Sequence, residues 1–284
     1  MTGSTARHLW PRFALSTRFP SHVGLAPLTF WETKDAAGAA RALPAGAVAS
    51  VSLFADSRLG RSHPEWLQVG AGGARAARGA APYFDWDCLC PSRPEVAALA
   101  AAWVEQALAA QGPGGAAPSL RVSDVGFARE GYCRCHACLA AADAAGLDLG
   151  AYRIARVGAL VRDWRARVPG RLYVTLYPDP YPGHLERRLG VAPDVLAPSV
   201  DAYVVPLYDL AYATTHWLES LCQGFADRLA GKPWYAELYA LGVEEAALSR
   251  ALRVAAAYAT GVVAAYDRDM ERLVRMARLF GQPG

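Results

Sequence analysis

The chain lacks any long uncharged hydrophobic run. No stretch reaches the roughly 18 apolar residues that a membrane span needs, although 53% of the 284 residues are hydrophobic. The Ala-rich segment 94–110 comes nearest, but Glu95 and Glu105 interrupt it, and it reads as an amphipathic helix. The opening residues, MTGSTARHLWPRF, contain no apolar core of the kind a secretory leader carries. Nor is there a block of one charge. The net charge is +3, and the basic residues are scattered through helical patterns, which argues against a nucleic-acid footprint. No internal repeat of fixed period is visible. These absences lead to the expectation of a soluble, cytoplasmic protein with neither nucleic-acid nor membrane partners. A homo-oligomer remains compatible with the sequence, which does not set the oligomeric state. In a reducing compartment, six cysteines point to a metal or to inert thiols rather than a disulfide framework.

What the sequence does contain is alternation. Apolar runs at 13–17, 47–55, 119–123, 172–177, 202–208, 234–238 and 262–266 read as strands, and 25–31 supplies an eighth. Helical patterns cover 35–43, 94–110, 152–168, 214–230, 243–259 and 269–280. Strands alternating with helices imply right-handed βαβ units and a parallel sheet. The expected architecture is α/β: a single (β/α)8 barrel over residues 1–284, complete or slightly degenerate, with an irregular N-terminal part. A doubly wound open sheet is the alternative, but no G-x-G-x-x-G follows the first strand. The segment QGPGGAAP (111–118) reads as a loop within one domain.

Polar and aromatic residues recur where these strands end. Asp124 follows Ser123, Tyr177 precedes Pro178 and Asp179, Tyr208 precedes Asp209, and Tyr266 precedes Asp267. Ligands of parallel α/β folds bind at the C-terminal ends of strands, so such residues suit a site. The plainer reading makes them helix caps and turn residues, and it fits Asp267 well. It fits Glu237 poorly. A carboxylate inside the apolar run WYAELY is costly to bury without a partner. Tyr177, Tyr181, Tyr208, Tyr212, Tyr239 and Tyr266, with Trp234 nearby, could stack on the apolar faces of sugars. Asp56, His63, Asp179, His184 and Asp209 are the polar residues expected to join them, although His63 in SHPEW also suits a simple loop contact.

The stretch DVGFAREGYCRCHACL (124–139) holds C-x-C-x-x-C at Cys133, Cys135 and Cys138, and Cys88 and Cys90 form a C-x-C upstream. Thiolates converge on Zn2+, which takes four ligands tetrahedrally. Three would come from one loop and the fourth from Cys88 or Cys90, with His136 as a fallback. Four thiolates leave no open position, so such an ion is structural. Cys222, alone in a helical pattern, reads as a core residue. The P-C-x-x-C motif that supplies zinc ligands in zinc deaminases is absent.

Ser123-Asp124-Val125-Gly126, followed by Cys133-Arg134-Cys135-His136-Ala137-Cys138, resembles the zinc-containing β-galactosidases of glycoside hydrolase family 42. There an Asn-Glu-Tyr-Gly motif ends barrel strand four, a C-x-C-x-x-C loop follows, and an earlier cysteine completes a structural zinc site. HPEW (63–66) is similar to a segment of barrels regarded as glycoside-hydrolase-like. The resemblance implies a barrel glycosidase in which Asp124 stands at the acid/base position and Glu237 at the nucleophile on strand seven. Two departures accompany it: Asp124 is one methylene shorter than the family's Glu, and Ser123 replaces its Asn. The shorter acid would widen the carboxyl gap from the roughly 5–5.5 Å of retaining enzymes toward the 6.5–9.5 Å of inverting ones. The chain is also much shorter than those galactosidases. The expected function is hydrolysis of a glycoside or oligosaccharide. The competing expectation, which the two departures favour, is a degenerate barrel that binds carbohydrate or a partner without cleaving it.

Overall fold

A computed structural model describes residues 10–112 and 116–280. Eight parallel strands close into a barrel in sequence order, from β1 to β8, with β8 pairing back onto β1. The strands are β1 (Phe13–Thr17), β2 (Leu28–Lys34), β3 (Val48–Ser52), β4 (Leu120–Ser123), β5 (Leu172–Thr175), β6 (Ala202–Pro206), β7 (Trp234–Tyr239) and β8 (Gly261–Ala265). The helices are α1 (Ser57–Ser62), α2 (Pro94–Ala109), α3 (His136–Ala144), α4 (Leu149–Arg167), α5 (His184–Leu189), α6 (Pro193–Leu196), α7 (His216–Arg228), α8 (Glu245–Tyr258) and α9 (Met270–Phe280). This is the (β/α)8 architecture read from the sequence. Its degeneracy lies early: the β1–β2 connection holds one 3-10 turn, and the β2–β3 connection no helix. No helix among the described residues is long and apolar enough to cross a membrane.

The helix expected over 35–43 does not form. Asp35 accepts the Ala39 amide through its side chain, Gly38 takes a left-handed φ of 87°, and Arg41 N–H donates to the Thr33 carbonyl. The segment folds back on β2 as a tight turn because a short polar side chain offers the backbone an alternative to the helix. Strand β2 also runs on to Lys34, past the point where the apolar pattern stops.

Alternation along the strands sends one set of side chains inward and the other toward the helices. The outward set joins the helices in the larger core. The inward set is sorted by height. At the N-terminal end Trp10, Phe30, Tyr173 and Tyr235 meet edge to face, with centroids 5.0–6.5 Å apart, and plug the barrel. Above them the interior turns polar: Ser16, Glu32, Ser52, Arg121, Thr175 and Glu237 project inward from six strands, all but Arg121 from the C-terminal half. The site is built at that transition.

Candidate functional site

Glu237 is 1% exposed and fully paired. Arg121 of β4 grips both carboxylate oxygens, Nη1 to Oε1 at 2.6 Å and Nη2 to Oε2 at 2.8 Å, and its guanidinium lies 5.1 Å from the Phe30 ring centre. This forked geometry is the strongest that an arginine offers a carboxylate. Arg121 also donates to Thr175 Oγ1 and Ser16 Oγ, so the pair is anchored on four strands. Tyr208, just past β6, donates its hydroxyl to Glu237 Oε2 at 2.8 Å. Burial alone raises the Glu237 pKa, but Arg121, Tyr208 and Ser16 outweigh it and hold the carboxyl below its ordinary range. Glu237 is therefore an ionised group at the mouth end of β7. Burial and the neighbouring Glu237 charge push the Tyr208 hydroxyl well up, so it stays a donor.

Beside this pair lies an aromatic wall. The Tyr239 ring stands 5.7 Å from Tyr208 and 6.1 Å from Tyr266. The Tyr266 hydroxyl meets Glu32 Oε1 at 3.1 Å, and Glu32 is flanked by Arg18 and Arg41 at 3.4 and 3.5 Å. Burial and the charges of Glu32 and Glu237 push Tyr266 up. Tyr208 is 44% exposed as a residue, while its hydroxyl is turned inward.

Asp124 is the first residue after β4 and adopts a left-handed φ of 53°; Tyr266, the first after β8, does the same at 63°. Such conformations cost a non-glycine residue about 1–3 kcal/mol and concentrate at functional sites. The Asp124 carboxylate accepts from Ser52 Oγ at 2.7 Å and Ser123 Oγ at 3.1 Å. Among the described residues no hydrogen bond links Asp124 to Glu237, directly or through one shared partner.

The other sequence-derived candidates divide. Tyr177 is 46% exposed at the mouth, with the Arg188 guanidinium 4.6 Å over its ring. Asp179 is buried and held by His184 and Arg188, each at 3.0 Å, which fixes the β5–α5 loop. Asp209 accepts the Ala211 amide in a turn. Four candidates are engaged elsewhere in the fold. Asp56 caps α1 through the Arg58 and Leu59 amides and pairs with buried Lys34 at 3.1 Å, so its carboxylate is consumed by the fold. His63 stacks on Trp66 at 3.9 Å and pairs with Glu65, the plain loop contact. Trp234 opens β7 at the end opposite the mouth and packs on Phe225 of α7, because its place in the alternation points it outward. Tyr212 is likewise core, stacked on Trp217. Sequence reasoning passed over Arg121 and Glu32. Both carried the signal that marked Glu237, a charge inside a strand.

The cysteines converge away from the barrel interior. The ligand atoms of Cys90, Cys133, Cys135 and Cys138 lie within 4.8 Å of one another, with Cys90 Sγ 3.4 Å from Cys138 and 3.6 Å from Cys135. A tetrahedron with Zn–S bonds of 2.3 Å has edges of about 3.8 Å, so the donors lie close to the spacing of a four-thiolate ion. Cys135 caps α3 and Cys138 lies in its first turn, where the helix dipole favours thiolates. Val69 N–H points at Cys133 Sγ at 3.2 Å. Hydrogen bonds with Cys133, Cys135 and Cys138 push Cys90 up, those with Cys133 and Cys135 push Cys138 up, and Cys135 is pulled down by its bonds to the other three. Cys88 stands outside the cluster. Its thiol rests 3.8 Å from the Trp86 carbonyl, and burial, with Asp124 and Asp87 nearby, raises its pKa to about 12. His136 is exposed at the start of α3, and Cys222 is buried in α7, as a core thiol should be.

No protein-family model matches the chain, and no curated protein sequence does. Its fold is similar to that of an α-L-fucosidase, isoenzyme 2, from Paenibacillus thiaminolyticus, with a TM-score of 0.61 at 12% identity over 95% of this chain and 49% of that one. A glycoside hydrolase family 20 exo-β-N-acetylglucosaminidase from Vibrio harveyi gives a TM-score of 0.52 at 10% identity, covering 96% of this chain and 54% of its own. The chain spans about half the length of these structures. At such identities the likeness is one of fold, and neither structure is a family 42 β-galactosidase.

Proposed function

We propose that the protein is a glycoside hydrolase working at the mouth of its barrel, with Glu237 as the carboxylate at the reacting carbon and Asp124 as the acid. The observation that carries this reading is the state of Glu237: a carboxylate held ionised at the end of β7 by Arg121 and Tyr208, next to the Tyr208–Tyr239–Tyr266 wall. Cleavage of a glycosidic bond passes through an oxocarbenium-like state, which a fixed negative charge stabilises, and a second carboxyl must protonate the leaving oxygen. As a sugar ring enters, Tyr208 is the group that can shift its hydroxyl from Glu237 to the sugar. Asp124, turned out of β4 and supported by two serine hydroxyls, serves as the proton donor. Tyr239, Tyr266 and Tyr177 supply faces for the sugar. The glycosidase folds similar to the barrel support the substrate class, and the motif around Asp124 and the cysteines supports kinship with family 42.

The four-cysteine cluster would hold a structural zinc. Cys90, Cys133, Cys135 and Cys138 supply the complete donor set, and the ion would pin the loop that follows Asp124 to the segment before α2.

A second reading has its own observation. Glu237 is 1% exposed and both of its oxygens are already bonded, which suits a barrel that binds carbohydrate without cleaving it. Glu237→Gln on a panel of aryl glycosides separates the two. In a hydrolase, turnover falls at least a thousandfold while binding persists. If the wild-type protein turns over no glycoside yet binds sugars, the second reading holds.

A further inference from the structure

The mouth contains a cavity that shares Tyr239 and Tyr266 with the proposed sugar site but whose cationic rim takes no part in the cleavage. It has a volume of about 220 Å³ and is lined by Arg18, Phe19, Tyr239, Leu241, Tyr266 and Arg268. That is below the roughly 300–1,000 Å³ of sites for drug-sized molecules and suits about one sugar ring. Its walls are aromatic and its rims cationic. Arg18 places its guanidinium 5.1 Å over Tyr266, and Arg268 lies 6.0 Å from the Phe19 ring centre. It adjoins the candidate site directly, because Tyr239 packs against Tyr208, whose hydroxyl bonds Glu237.

The nearby carboxylates already have cations. Glu237 is taken by Arg121, Asp267 by Arg272 through two bonds of 2.6 and 2.7 Å, and Glu32 by Arg18 and Arg41. Asp269 accepts the Arg272 amide as a helix cap. Arg268 is exposed, and among the described residues its guanidinium has no hydrogen bond or ion pair. Arg18 touches Glu32 only at 3.4 Å through Nε, and none of its nitrogens makes a hydrogen bond within the described residues. Two guanidiniums therefore face one ring-sized, aromatic-walled space with donors to spare. A guanidinium fork matches a carboxylate, and aromatic faces match a pyranose ring.

We infer that this cavity binds an acidic sugar, a pyranose carrying a carboxylate, with Arg268 and Arg18 on the carboxylate and Tyr239 and Tyr266 on the ring. As a statement about substrate class it rests on the hydrolase reading; as a binding site it stands alone. The test is calorimetric titration of the full chain with D-glucuronate, D-glucose and inorganic sulfate, repeated on Arg268→Gln and Arg18→Gln. Glucuronate is expected to bind at least tenfold tighter than glucose or sulfate. Added salt should weaken it, and Arg268→Gln should erase the preference at unchanged melting temperature. Arg18→Gln, which keeps Arg268, should reduce the preference in part. Equal binding of glucuronate and glucose overturns the inference, as does sulfate binding as tightly as glucuronate or a preference that survives in Arg268→Gln. Failure of the hydrolase reading looks different: no glycoside is cleaved, yet the glucuronate preference persists. Cleavage of neutral glycosides with no preference for uronates sinks this inference and leaves the hydrolase reading standing.

Discussion

The cysteine cluster and the barrel mouth gather their residues in opposite ways. Three of the four cluster thiols come from six consecutive residues, and the fourth from a segment that ends just before α2. The Glu237 network takes one side chain each from β1, β4, β5, β7 and the loop after β6, spanning sequence separations of up to 116 residues among its direct contacts with Arg121 and Tyr208. The first is a local staple whose chemistry is independent of the barrel's register. The second exists only if the barrel closes in the right register, since a one-residue slip would turn Arg121 or Glu237 to the outer face. The staple can therefore hold a loop in place, while the network reports that the whole barrel is formed.

Removing the staple is expected to have the largest effect. Cys90→Ser, or treatment with a strong chelator, should take bound zinc from one equivalent per chain to near none and cost on the order of 5 kcal/mol or more. Structural zinc contributes about 10–16 kcal/mol in peptides that have no other core, and this chain has a large one. Cys88→Ser is the matched control and should keep its zinc. Elemental analysis and thermal unfolding check both. Equal zinc loss in the two variants would remove the distinction between Cys88 and Cys90.

Next is the barrel's own pair. Arg121→Met leaves Glu237 buried without its cation and should cost about 3–5 kcal/mol at pH 7, whereas Arg121→Met with Glu237→Gln should recover much of it. The pH dependence follows from the direction of the Glu237 shift. A carboxyl held below its unfolded value of about 4.3 stabilises the fold above that value, and the contribution fades as pH falls through the folded pKa. Wild type should thus lose stability on acidification below about pH 4. In Arg121→Met only Tyr208 and Ser16 remain to oppose burial, the largest influence, so the carboxyl pKa rises and that variant should gain stability as pH falls toward 5. Urea denaturation at pH 7, 5 and 3.5 measures both slopes. Parallel slopes would mean that Glu237 is not the group titrating.

Tyr208→Phe probes the contact between network and solvent. It removes one hydrogen bond to a charged group, worth about 1.5–3 kcal/mol, but water can reach Glu237 once the hydroxyl is gone. A loss near 1 kcal/mol is expected, measured by the same urea curves.

The contrast also explains what was legible. The strands could be read because their apolar runs are short and bounded by turn residues, and β1 matches residue for residue. The end of β2 was not, because Glu32 breaks the apolar pattern where the interior turns polar, and Lys34, past a bulge, turns to Asp56 and the Ser52 and Ala55 carbonyls. The cysteine site was readable up to its fourth ligand, since C-x-C-x-x-C fixes three donors by spacing alone. What the spacing omits is α3, whose first turn presents Cys138. Glu237 was conspicuous as a charge in an apolar strand. Its partner was not, because nothing in one sequence ties residue 121 to residue 237; only barrel closure does.

The smallest effect on folding is expected at Asp124, and that is what makes it informative. Its carboxylate accepts two serine hydroxyls, and an amide oxygen can accept the same two. The amide nitrogen can face the half-open side, so Asp124→Asn should change stability by less than about 1 kcal/mol. The left-handed φ of 53° is no obstacle, because Asn tolerates that region at least as well as Asp. An amide cannot hand a proton to a leaving oxygen, however. If Asp124 is the acid, turnover of glycosides with poor leaving groups should fall by about 10²–10⁴, while nitrophenyl glycosides, which leave without protonation, should be much less affected. That split belongs to proton donation and not to loosened packing, which would slow both substrates together. Equal loss on both classes would make Asp124 a structural corner. Its strained backbone and two serine contacts would then serve the loop that carries the cysteines, and staple and mouth would be one mechanical unit.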